Sequence, residues 1–513
     1  MTILFATSHF GFLRNFEFAI RALASRGHRF RLVADRGDNL GGSRTVETLC
    51  ADFPALISVA QAPKIKDSSW QPLGSALRLT LDYWRYLHPR YAASPKLTAR
   101  AASQAPGVAA ALARMPVLGS RPGLDALGRV VRGIERTLPI SPDVLRFLDT
   151  ERPDLVLVTP LLYFGSQQGE YVRGARRLGI RSVLCVGSWD HLTTKGLIHA
   201  VPDRVVVWND AQREEIRTIH GIDPERVTIT GAPAYDHWFV TAPSVSREVF
   251  CEKTQLRRDR PYLLYLCSSP FITPHEVGFV ERWITGIRAS HVPELREAGI
   301  LVRPHPQNAD QWAGIDLARF GNVSVFPRAG ANPVDREARA AYFDSMFYSA
   351  AVVGVNTSGL IESGIVGRMV YTVLDGEFAG TQEGTLHFRH LQGVNGGLLH
   401  VAGGLPAHYA QLADLLTGRS AVDDRARRFV EAFIRPRGID LPAAEIFADA
   451  IEAEGRLGGV TPKGDGALAP LWRAVLSPLA VATQTAAQRR RAATRRQKIE
   501  QTFRDKDAAE QAR

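Results

Sequence analysis

The segment Ala350 to Thr372 limits the folds open to this chain more than any other. An apolar run ends at Val353, a small-residue turn follows through Gly354, Val355, Asn356, Thr357, Ser358 and Gly359, a helix is expected from Leu360 to Val366, and a second apolar run spans Met369 to Val373. Parallel strands need a crossover, and a helix between two short strands supplies one, so this stretch predicts a parallel sheet. The turn places backbone N–H groups at a helix N-terminus, where the helix dipole favours negative charge and a phosphate fits. Ser358 as an ordinary helix cap explains the same residues equally well. Glu362, one turn into the helix, is within reach of a ribose or sugar diol.

At 513 residues the chain exceeds one core and predicts two domains and a tail. A hydrophobic share of 45% with 22% charged residues excludes general disorder, and a formal net charge of +11 favours anionic partners without choosing among nucleotide diphosphates, membranes and nucleic acids. Cys50, Cys185, Cys251 and Cys267 lie far apart, which predicts neither a disulfide framework nor a metal site. The start, MTILFATSHFGFLRNFEFAI, lacks a leader pattern, and no apolar run reaches membrane-spanning length, so a cytoplasmic or membrane-peripheral protein is expected.

Strand and helix patterns alternate along both halves. Ile3–Ala6, a helix carrying Phe16, Ile20 and Leu23, and a strand within Arg26–Asp35 open a doubly wound sheet. A Pro-interrupted, mostly helical insertion is expected over about 43–141, after which strands near Leu155, Arg181, Arg204 and Val227 complete an N-terminal Rossmann-like domain over 1–240. A polar linker, 241–260, leads to a second such domain over 261–435. A helical stretch over 436–457, able to cross back to the first domain, precedes a basic tail over 458–513, helical and partly disordered, that carries AAQRRRAATRRQK at Ala486 to Lys498. That tail reads as a solvated segment or as an amphipathic anchor on anionic lipid; nucleic-acid binding is not expected, because no recognition motif accompanies the charge.

Parallel sheets bind ligands beyond the C-terminal ends of their strands. In the second half those positions hold Ser268 and Ser269, Arg303 beside His305 in RPHP, and Asn356, Thr357, Ser358 and Gly359 followed by Glu362. Prolines on both sides of His305 fix its backbone, and a fixed imidazole can donate to a phosphate or leaving-group oxygen. In the first half they hold His9 and Arg14, and GSWDHLTTKG with Asp190 and Lys195. Asp190, whose pKa partial desolvation by Trp189 would raise, is a candidate general base or a helix cap, His9 is its competitor, and Arg14 and Lys195 are candidates for contacting phosphate or acceptor.

These motifs resemble the two-Rossmann-domain (GT-B) transferases, nearest the branch of CDP-glycerol glycerophosphotransferases and capsule-polymer transferases. Trp189 and Lys195 match that branch's Trp-His-Gly-Thr-x-x-Lys segment, with Asp190 at its base histidine; His305 and Pro306 match its His-Pro; Ser358 matches its Thr-Asp-Tyr-Ser-Ser turn, with Asn356 and Thr357 in place of Asp and Tyr. The UDP-N-acetylglucosamine 2-epimerases share a His-Pro and a turn ending in two acids, where this chain has Glu362 and Ser363. The resemblance implies a metal- and cofactor-free enzyme that moves a sugar from a nucleotide-sugar donor to a cell-surface glycan or lipid-linked acceptor. A transferase acting on a CDP-alcohol, an epimerase-like enzyme and a silent glycan- or membrane-binding scaffold are the alternatives.

Overall fold

The computed structural model describes residues 1–38, 41–65, 69–331, 333, 335–420 and 423–511, with side chains placed as far as 489 and at Ala493. Two parallel sheets organise these residues. The first contains β1 (Thr2–Thr7), β2 (Arg29–Ala34), β3 (Ile57–Val59), β4 (Leu155–Thr159), β5 (Arg181–Cys185), β6 (Arg204–Val207) and β7 (Val227–Ile229), in the order β3-β2-β1-β4-β5-β6-β7. The second contains β8 (Tyr262–Leu266), β9 (Gly299–Arg303), β10 (Val323–Val325), β11 (Ala351–Gly354), β12 (Val370–Val373) and β13 (Leu399–Ala402), in the order β10-β9-β8-β11-β12-β13.

Each sheet begins at its centre and winds outward in both directions. Ile3 of β1 therefore pairs with Phe30 on one side and Leu155 on the other, and Leu264 of β8 with Leu301 and Val352. Helices cover both faces, so the central strands are apolar throughout and fully buried, as in Leu155–Val158 and Tyr262–Leu266. The expected doubly wound architecture is present in both halves.

Two differences from the sequence expectation concern the sheet edges and the insertion. The helix Gly42–Asp52 and β3 belong to the first sheet's winding, so the inserted helices start only at Gln71–Tyr86 and continue through Pro95–Gln104, Gly107–Ala113 and Arg121–Thr137. The basic C-terminal tail is helical, as expected, from Ala469 to Gln511. Among the described residues no helix is long and apolar enough to cross a membrane.

The chain passes between the domains twice, and the two passages are fastened together. The Ala232 N–H donates to the Ile434 carbonyl at 2.9 Å. The buried Asp236 carboxylate accepts from Arg435 at 2.7 Å and from the backbone N–H groups of Ala443 and Ala444 at 3.0 and 2.7 Å. The returning helix, Ala443–Arg456, then packs Phe447, Ala448 and Ile451 against Phe16, Ile20 and Leu23 of the first domain. Arg204 and Arg181 hold its Glu454 at 2.5 and 3.4 Å.

Candidate active site

The C-terminal edges of the two sheets face each other across a cleft of about 1060 Å³. His9, Arg14, Asp190 and Lys195 line it from the first domain, and Ser269, Arg303, His305, Asn356, Thr357, Ser358, Gly359 and Glu362 from the second. Ser268 lies just behind this wall, fully buried, its hydroxyl accepting the Asn356 N–H at 3.3 Å. Sequence-distant candidates thus converge because both doubly wound sheets direct their strand ends to one crevice.

His9 follows β1, and its Nδ1 lies 3.3 Å from Oδ1 of Asp38, a buried carboxylate in the loop after β2. Asp38 is held in turn by the N–H groups of Gly42 and Ser43 at the start of the next helix. Gly42 is obligatory there, because a Cβ would stand 2.1 Å from the Gly11 nitrogen. Burial lowers the His9 pKa, Asp38 opposing, so the ring is neutral at pH 7. With Nδ1 turned to Asp38, Nε2 is left to accept a proton.

Asp190 has a different environment. Its Oδ1 accepts from Ser188 at 2.6 Å, its Oδ2 from Thr194 at 2.9 Å, and Lys195 Nζ stands 3.4 Å away. Burial opposes its ionisation, but Lys195, His191, His387 and the Ser188 hydroxyl outweigh it and hold the carboxyl far below the ordinary range. Asp190 makes no side-chain capping bond.

In the second domain, His305 Nδ1 accepts the Gln307 N–H at 3.2 Å, which fixes the tautomer with its proton on Nε2. Burial lowers its pKa, so it acts as a neutral donor. Arg303 is 5% exposed and lies 4.8 Å over the Tyr342 ring; among the described residues it forms no ion pair, and desolvation lowers its pKa to about 10. A buried cation in this position attracts an anionic ligand. Glu362 accepts the Tyr342 hydroxyl at 2.6 Å, and burial raises its carboxyl to about 6.

Ser358 does not cap its helix; its hydroxyl accepts Trp189 Nε1–H from the opposite domain at 3.1 Å. Gly359 cannot carry a side chain, since a Cβ would meet Leu266 Cδ1 at 2.7 Å and the Tyr342 hydroxyl at 2.8 Å. The Asn356 amide donates to the Thr381 carbonyl at 2.9 Å, which ties the turn to the segment beyond β12.

Sequence reasoning missed several contributors. Arg85 and Tyr86 of the insertion grip the loop that carries Lys195: Arg85 donates to the carbonyls of Leu192, Thr193, Lys195 and Gly196 at 2.5–3.4 Å, and the Tyr86 hydroxyl to Lys195 O at 2.8 Å. Arg100 adds a bond to Thr194 O. His387 closes the seam, its ring edge-on to Trp189 at 4.5 Å, its pKa lowered by burial to about 4. Asp38 alone had a visible signal, since it follows a strand at the ligand-binding edge.

Two doubly wound parallel domains facing across a cleft form a GT-B fold. No family model and no curated protein matches the chain. Among solved structures, the UDP-GlcNAc 2-epimerase of Methanocaldococcus jannaschii is similar over 88% of this chain and 100% of its own, at 10% identity and a TM-score of 0.49. A glycosyltransferase from Rickettsia africae matches over 89% and 98%, at 10% identity and 0.48. The wall teichoic acid polymerase TagF matches over 89% of both chains, at 9% identity and 0.39.

Proposed function

We propose that the cleft binds a nucleotide-activated sugar and transfers the sugar to a hydroxyl of a glycan or lipid-linked acceptor. The observation that carries this reading is the division of chemistry between the walls. The first domain presents a neutral imidazole backed by a buried carboxylate, and the second a buried cation, a fixed imidazole donor and a buried acid.

In this scheme His9 Nε2 takes the proton of the acceptor hydroxyl while Asp38 steadies the imidazolium that forms. The acceptor oxygen bonds to the anomeric carbon, the bond from that carbon to the diphosphate oxygen breaks, and the electron pair leaves with the diphosphate. Arg303, His305 and the Ser358 hydroxyl receive the developing charge, and Glu362 accepts from the donor's hydroxyls. His9 is preferred to Asp190 as the base. A carboxylate already satisfied by Ser188, Thr194 and Lys195 has little tendency to take a proton, and suits holding Lys195 toward phosphate instead.

A thermal-shift screen of nucleotides with the full-length protein tests the reading, followed by transfer assays on His9→Gln. Stabilisation by UDP or GDP, with transfer lost in the variant and nucleotide binding kept, is the expected result. Preference for CDP or CMP assigns the cleft to polyol-phosphate transfer, and silence toward every nucleotide removes the enzyme reading.

A further inference from the structure

The helix Ala469–Gln511 has an apolar sector that the body of the protein covers only in part. Residues turn by about 100° each around a helix. On that projection Ala469, Leu476 and Ala480 share one flank, and Leu476 and Ala480 pack there against Leu73 and Leu138 of the inserted domain. The adjoining flank carries Leu468, Leu471, Trp472, Val475 and Leu479, and it is open: Leu471 and Val475 are each 62% exposed and Leu479 49%. Single exposed apolar residues are ordinary, whereas a contiguous stripe marks a contact surface.

The charge that follows identifies the partner. No acidic residue occurs between Asp465 and Glu500, while Arg473 and the six basic residues from Arg489 to Lys498 do. A second copy of the chain would bring two such basic runs together and is disfavoured by repulsion. A nucleic acid would use the charge but leave the apolar stripe in water. An anionic bilayer interface satisfies both, because acyl chains accept the stripe and headgroup phosphates attract the basic run. Arg473 and Pro478 interrupt the apolar portion, which is too short to span and suits a helix lying in the interface plane.

We propose that the segment from Leu468 to Lys498 docks the protein on anionic lipid, with the Leu471, Trp472, Val475 and Leu479 stripe at the acyl boundary. The inserted helix Gln71–Tyr86 links this surface to the cleft: Leu73 supports the docking helix, and Tyr86 at the other end holds the Lys195 loop. Docking therefore sets the cleft near the bilayer, whatever the cleft's chemistry.

Co-sedimentation of the full-length protein with phosphatidylcholine vesicles, with and without about one third phosphatidylglycerol, tests this. Expected are binding to the anionic vesicles that weakens with added salt, and at least tenfold weaker partitioning for L471Q/V475Q/L479Q. A comparable loss is expected for a variant with Gln at Arg489, Arg490, Arg491, Arg495, Arg496 and Lys498. The altered apolar positions are exposed, so unchanged melting should accompany the loss. The proposal is overturned if the wild-type protein ignores anionic vesicles, if the triple variant binds as well as wild type, or if light scattering shows a dimer that the triple variant dissolves. Preferential retention by an oligonucleotide over the vesicles also overturns it. No outcome depends on sugar transfer.

Discussion

Glu276 offers a direct test of how the donor side of the cleft is built. It is fully buried beneath the Ser268 turn, where its carboxylate accepts the Ser268 N–H at 3.0 Å and the Tyr265 hydroxyl at 3.1 Å. Burial pushes its pKa up from 4.5 to about 7, against the pull of those hydrogen bonds. At about 1.4 kcal/mol per pKa unit, that rise is worth about 3 kcal/mol. The folded state keeps a proton that the unfolded chain releases between these two values. The contribution is therefore complete below pH 4.5 and lost as the pH rises through 7. Glu276→Gln removes the ionisation and keeps an acceptor for Ser268. In urea denaturation of the full-length protein, the stability of the variant relative to wild type should rise by about 3 kcal/mol between pH 4.5 and 8.5. Other titrating groups, including Glu362 at about 6, cancel in that difference. A difference that stays flat across the range refutes the placement of the proton on Glu276.

Asp38→Asn should lower sugar transfer by about a thousandfold or more by losing the partner of His9, with nucleotide binding unchanged by calorimetry. Arg303→Met removes a buried charge that pairs with no carboxylate among the described residues, so protein stability should hold or improve in denaturant titrations while diphosphate affinity falls at least tenfold. Arg85→Met removes a donor from four backbone carbonyls at once, of which Leu192 O keeps His220 and Lys195 O keeps Tyr86, and should destabilise the protein by about 3 kcal/mol. Limited proteolysis should then cut within 192–196, and an uncut loop would show that the clamp is dispensable.

Much of the fold was legible because parallel strands buried on both faces leave unbroken apolar runs. Tyr262–Leu266 and Arg204–Val207 stand out on that account. Two of the edge strands were not: Ile57–Val59 is a three-residue strand between polar stretches, and Leu399–Ala402 carries a half-buried His400. Placement in the cleft was legible by the rule of strand ends, and His9, Arg303, His305 and Glu362 follow it. The partnerships were not. Tyr342 reaches Glu362 from a different helix, and Arg85 meets its carbonyls more than 100 residues away. The charge state of Asp190 likewise depends on Ser188, Thr194 and Lys195 converging in space, and neighbouring letters such as Trp189 suggested the opposite shift.

The fastened passages between the domains have a kinematic consequence. Two chain segments tied side by side through Ala232, Asp236, Arg435 and Ala443 leave the halves one easy rotation, about the line of that tie. Twisting or sliding would have to break the Asp236 bonds, whereas swinging about that line would release the contacts between the facing walls, Trp189 to Ser358, His390 to Glu215 and Ser94 to Gly384. Spin-label distances measured at several pairs across the rim should therefore vary along one common curve as nucleotide is added, and Asp236→Ala should scatter them off it.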